Sequence, residues 1–155
     1  MYKISELLGL PVISLSNAAV IGTTANVYFN RRLKNAVAVK LFSPQEESLY
    51  LPFGNILRRS PDSVVVSDER QISVFPKYTP LGKAAFDRNG NYLGRITDVI
   101  IKSTGVAAFF IDGSLSSLKL VRCGDVILLE RKKIARRYNI RRLSAMSATD
   151  TLMRR

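Results

Sequence analysis

The chain repeats itself, and this restricts its fold more than any other feature. The stretch "ELLGLPVISLSNAAVIGTTANVYF" (6–29) lies over "TPLGKAAFDRNGNYLGRITDVII" (79–101). Leu8-Gly9 meets Leu81-Gly82, Ile21-Gly22 meets Leu93-Gly94, and Asn26 falls opposite Asp98. The offset is 73 residues for the first pair and 72 for the others, so one residue is gained or lost in the intervening turn. Further on, Gly54-Asn55-Ile56 aligns with Gly124-Asp125-Val126 at an offset of 70. A fold for one half must therefore also suit the other. In a chain of 155 residues, that leaves two small units.

Each unit reads as β-structure. "AVAVKLF" (36–42), "SVVVSD" (63–68), "ISVF" (72–75) and "VAAFFID" (106–112) are strand-length and rich in β-branched or aromatic residues. Within "FDRNGNYLGRITDVII" (86–101), Asn89-Gly90 predicts a hairpin with a type I′ turn, because both residues tolerate positive φ. Short strands with turn punctuation predict small barrels or sandwiches. Two prolines in "SVFPKYTP" (73–80) mark the boundary. The division is 1–75, 76–130, and a basic tail at 131–155. A helical reading of "LLERKKIARRYNIRRLSAM" (128–146) meets a poor apolar stripe.

Composition narrows the chemistry. There is no histidine, which removes the usual general base, the usual metal ligand and the Ser-His and Cys-His pairs. The one cysteine, Cys123, cannot form an internal disulfide or a cysteine-based zinc site alone. No cofactor and no metal are expected. No apolar run approaches the ~18–20 residues that span a bilayer, and the N-terminus does not read as a signal peptide. The expectation is a cytoplasmic protein with no membrane span.

The formal charge of +12 is uneven. Residues 131–155 hold nine basic residues and one acid, while residues 1–130 hold fifteen basic and eleven acidic. "RKKIARRYNIRR" (131–142) places Arg131, Lys132, Lys133, Arg136, Arg137, Arg141 and Arg142 around Tyr138. Such a segment can neutralise phosphates, and Tyr138 can stack on a base. Its alternative is a solvated tail that aids solubility.

The pattern Leu-Gly, turn, Gly-x-x-x-Asp-Val, strand, Gly-Asp-Val resembles the PRC-barrel. That domain occurs in the cytoplasmic part of the photosynthetic reaction-centre H subunit and in the C-terminal part of a ribosome-maturation factor. The second unit matches better, and the first has Asn26 for the acid and no Asn-Gly. The resemblance implies an all-β chain of two tandem PRC-barrel-like barrels. It also implies a docking role and a structural acid at Asp98.

The remaining candidates read as structural. Asp98 has no histidine and no partner acid nearby in sequence, so it is a poor catalyst and is expected to accept hydrogen bonds from turn amides. "DRNGNYLGRITD" (87–98) has its glycine in the wrong place for a calcium loop. Arg122 beside Cys123 could lower a thiol pKa, but an inert thiol is the default. Gly22 and Gly94 belong to no phosphate loop and are expected to mark positive φ or close backbone packing. Gly9, Gly82, Asn89, Gly90 and Gly124 are taken as turn and packing positions.

The functional expectation is a non-catalytic binding or adaptor protein. The barrels dock a protein partner, and the tail adds electrostatic attraction. The alternative is an RNA- or ribosome-associated factor gripping phosphates through the tail. Small barrels have little core each, so the two are expected to pack on one another or on a second chain, as in a homodimer.

Overall fold

The computed structural model describes residues 1–131, which form an all-β fold of two sheets. A short N-terminal strand, β1 (Tyr2–Lys3), precedes the first sheet. That sheet holds β2 (Pro11–Ser14), β3 (Ala19–Phe29), β4 (Ala36–Phe42), β5 (Ser48–Pro52), β6 (Ile56–Arg59) and β7 (Val64–Val66). The second holds β8 (Ala84–Asp87), β9 (Tyr92–Lys102), β10 (Gly105–Ile111), β11 (Ser114–Leu115), β12 (Lys119–Cys123) and β13 (Ile127–Glu130).

The two sheets have one topology. The first runs β5-β4-β3-β2-β7-β6 and the second β11-β10-β9-β8-β13-β12. In each, the opening strand pairs antiparallel with the next and parallel with the last. The sequence repeat is therefore also a repeat of strand order. Among the described residues, closed barrels are not found. Each sheet is an open path, and its two end strands are joined through the chain rather than by a ladder.

Several local expectations change. Residues 72–75 lie outside any strand, with Val74 and Phe75 exposed. The second of two close prolines, Pro80, and Pro76 before it cannot donate to a ladder, which limits pairing here. Leu128–Glu130 belong to β13, so no helix begins there. The type I′ turn is not at Asn89-Gly90, where only Gly90 has positive φ. Asp87 instead receives the N–H groups of Asn89 and Asn91 on its carboxylate, and the N–H of Gly90 on its carbonyl. That is a longer turn with its bulge at glycine. The two-residue turn with positive φ at both positions is Asp112-Gly113, between β10 and β11. Finally, Gly124-Asp125 turns between β12 and β13, whereas Gly54-Asn55 sits in a 3₁₀ turn (Phe53–Asn55) ahead of β6. The third part of the sequence alignment therefore joins two places that do not correspond in strand order.

The units pack on one another through a single core. Ile4, Leu7, Phe29, Leu41 and Leu51 join Ile96, Ile101, Phe109, Ile127 and Leu129 in one buried cluster. Each such side chain contributes about 1.5–3 kcal/mol when fully buried. Neither half alone holds enough of them to be comfortable at this size.

The units also exchange their leading segments. β1 does not pair within its own unit but lies antiparallel on β9, with Tyr2 opposite Ile101. In return, Tyr78, at the head of the second unit, bridges Phe29 of β3, whose N–H donates to the Tyr78 carbonyl at 2.7 Å. After this crossing each leader returns home. Gly9 donates to Thr24 at 2.8 Å and Gly82 to Ile96 at 2.9 Å.

Candidate functional site

Where the units meet, the β3–β4 turn of the first leans on the second. Ala36 N–H donates to the Thr104 carbonyl at 2.6 Å, and Val106 N–H donates to the Leu33 carbonyl at 2.8 Å. Leu33 is buried although its φ is +58°. A leucine rarely adopts that conformation, so packing against the second unit must hold it there. Gly105 is pressed so close to this turn that a Cβ would stand 2.5 Å from the Lys34 carbonyl oxygen.

This contact leaves a groove of about 590 Å³ between the turn 31–34, one side of β10 and β12. That volume is ordinary for a binding site. The floor is apolar, with Leu33, Val106, Leu118 and Leu120, and the cations are Arg31, Arg32, Lys34, Lys119 and Arg122. Among the described residues, no carboxylate lines it. Glu130 sits nearby and holds Lys119 at 3.2 Å and Arg88 at 2.6 Å. Among the described residues, Arg31, Arg32, Lys34 and Arg122 make no ion pair. Clustered cations over a low-dielectric floor create a positive potential that favours an anionic occupant.

The sequence reading missed this groove. Its signal was "NRRLKN" (30–35), a basic turn between two asparagines, together with the cations of "LKLVR" (118–122). The two stretches are far apart in sequence, and only the packing of the units joins them.

The tail residues Lys132, Lys133, Arg136, Arg137, Tyr138, Arg141 and Arg142 lie outside the described residues, while Arg131 is exposed just after β13. Asp98 is partly buried on β9. It accepts the Val99 N–H at 2.8 Å, the Ser5 N–H at 3.1 Å and the Ser5 hydroxyl. It thus clasps the exchanged leader rather than a local turn. Asn26 does the same on β3, accepting the Val27 N–H at 2.8 Å and the Thr79 hydroxyl at 3.0 Å.

Gly22 and Gly94 are close-packing positions. A Cβ at Gly22 would stand 2.5 Å from the Phe42 carbonyl oxygen, and one at Gly94 would collide with Ile111 and Asp112. Gly9, Gly82 and Gly90 have positive φ, and Gly124 lies in the open β12–β13 turn. Cys123 is only 3% exposed, and burial pushes its thiol pKa up. The cation that opposes this is Lys83, not Arg122. Among the described residues, no group of three His, Cys, Asp or Glu side chains could hold a metal ion, and no helix is long and apolar enough to cross a membrane.

A second, apolar concavity of about 460 Å³ lies beside Val37, Val74, Phe75 and Tyr78. Phe75 packs against Tyr50 with ring centroids 4.7 Å apart and the ring planes tilted by 54°.

No protein-family model matches this chain, and no curated protein matches it.

Proposed function

We propose that this protein is a non-catalytic binding module of two PRC-barrel-like units, which presents the groove between them to an anionic partner. The observation that carries the reading is the cluster of five cations around an apolar floor with no carboxylate in the lining. A protein partner suits it better than RNA. Half of the lining is apolar, and its one aromatic, Phe109, is too buried to stack on a base. The tail, basic from Arg131 onward, adds long-range attraction for the same partner. The resemblance to the PRC-barrel fits this docking role, and the shared strand order of the two units supports it.

Affinity capture tests the reading, using the intact chain and the charge reversals Arg32→Glu and Arg122→Glu, with and without ribonuclease. One protein should be recovered in both nuclease conditions and lost with either reversal. Recovery that depends on intact RNA would instead establish the ribosome- or RNA-associated alternative.

A further inference from the structure

We infer that the occupant of the groove is an acidic peptide segment in extended conformation, added as a further strand along the open edge of β12. This rests on the reading of the groove as an anion site and names what fills it.

β12 is the end strand of its sheet. One edge is spent on the ladder to β13, from Lys119 opposite Glu130 to Cys123 opposite Ile127. Among the described residues, no main-chain hydrogen bond reaches its other edge. A row of unpaired N–H and C=O groups is a template for a further strand.

The facing side of the groove is less available. On β10, Val106 N–H is already bonded to Leu33 and the Phe109 carbonyl to Ser116. β11 takes up Phe110 and Ile111. The second unit's β11 has only two residues, against five in β5, so little of the chain lies between β10 and β12.

Charge and periodicity select the sequence of the added strand. Successive side chains of a strand point to opposite faces. A segment alternating acidic and apolar residues would set its apolar side chains on Leu118, Leu120 and Val106. A bulge between Leu120 and Arg122 puts Arg122 out of phase with Leu120, so the carboxylates would face the rim cations, including Arg31, Arg32 and Arg122. The same cations exclude a second copy of this chain, because β12 carries Lys119 and Arg122 itself and the whole protein is at +12. Cations on an edge strand discourage self-pairing while leaving an acidic strand welcome.

The test is a fluorescence-anisotropy titration of the full chain with four probes. These are a short labelled peptide of alternating Glu and Val, two versions of it N-methylated at alternate residues in one phase or the other, and oligouridylate of equal charge. The unmodified peptide should bind, weaken with salt, and weaken further with Arg32→Glu or Arg122→Glu. In one phase, N-methylation should weaken binding about tenfold or more, since it deletes several main-chain hydrogen bonds. Equal binding by methylated and unmethylated peptides would overturn strand addition while leaving the anion site standing. Binding of oligouridylate without the peptide would overturn the choice of occupant. Indifference of every probe to both charge reversals would overturn the groove itself.

Discussion

Asp98 and Ser5 are 93 residues apart in sequence, yet the Asp98 carboxylate accepts both the main-chain N–H and the hydroxyl of Ser5. The contact joins the start of the chain to the second unit. Asn26 repeats it from the first unit, accepting the hydroxyl of Thr79. Asp98→Ala removes the acceptor of three donors, the Ser5 N–H and hydroxyl and the Val99 N–H. Because Ser5 is exposed, water replaces part of the loss, at about 0.5–1.5 kcal/mol net for each hydrogen bond. We expect a loss of about that size in a denaturant melt. Hydrogen exchange should quicken at Tyr2, Lys3 and Ser5 before it does so in β9. Asp98→Asn keeps one acceptor and should lose less, as the residue in the equivalent place shows.

Ala18 has a φ of +54°, and Gly90, 72 residues on, has +86°. The same turn geometry recurs with a residue that resists it. Ala18→Gly should therefore stabilise the protein by about 0.5–1 kcal/mol, because left-handed backbone costs an L-residue about 1–2 kcal/mol and glycine returns part of the gain as entropy. Gly90→Ala should destabilise it. Thermal melts of the two variants would show opposite signs.

Gly22 lies against the backbone of Phe42, and a methyl group there meets a carbonyl that cannot move without shifting the β3–β4 ladder. Gly22→Ala should cost about 1–3 kcal/mol, the usual penalty for overpacking. A substitution at Gly54, where a Cβ meets nothing within 4 Å, should cost much less. Comparable losses at both sites would show that close approach is not what Gly22 supplies.

Acid should weaken the fold through particular carboxylates. Hydrogen bonds from the Asn91 side chain and from turn amides hold Asp87 below its usual pKa, and Arg88 with Lys119 does the same for Glu130. A carboxylate whose folded pKa is lowered contributes stability that is full above its unfolded pKa and is lost as pH falls through the folded one. Stability should thus decline below about pH 4–5. Asp87→Asn should flatten that limb slightly, since the site is exposed and screened. A steeper acid limb in the variant would contradict the assignment.

The Cys123 thiol should be slow to react. It is buried and its pKa is raised, so little thiolate is presented to a reagent. A disulfide reagent at mildly alkaline pH should label it only after denaturant is added. Prompt labelling of the native protein would place the thiol at the surface.

The sequence carried the strand content and the repeat because both are local or periodic. The predicted 36–42 coincides with β4, and 106–112 overlaps β10 closely. The pairing of Asn26 with Asp98 was legible as equivalence but not as function, since the donors come from Ser5 and Thr79 in the opposite unit. The turn at Asn89-Gly90 went astray because Asp87, two residues earlier, captures the turn amides. The groove was not legible, because Arg32 and Arg122 are brought together only by the way two hairpins meet. Likewise, 72–75 has the composition of a strand, yet among the described residues only its Ile72 main-chain N–H reaches a neighbouring strand, at the Tyr50 carbonyl of β5.

The exchange of leaders also has a consequence in time. Tyr2 and Lys3 are made about a hundred residues before their partners Ile101 and Ile100. At about 5–20 residues per second, the ribosome takes several seconds or more to supply them. Through that interval β1 has no native place, and Ile4 has no finished core to enter. Because both halves come from one polypeptide, this late closure proceeds at a rate independent of protein concentration. A pair of separate subunits crossing arms in the same way would have to find each other by diffusion.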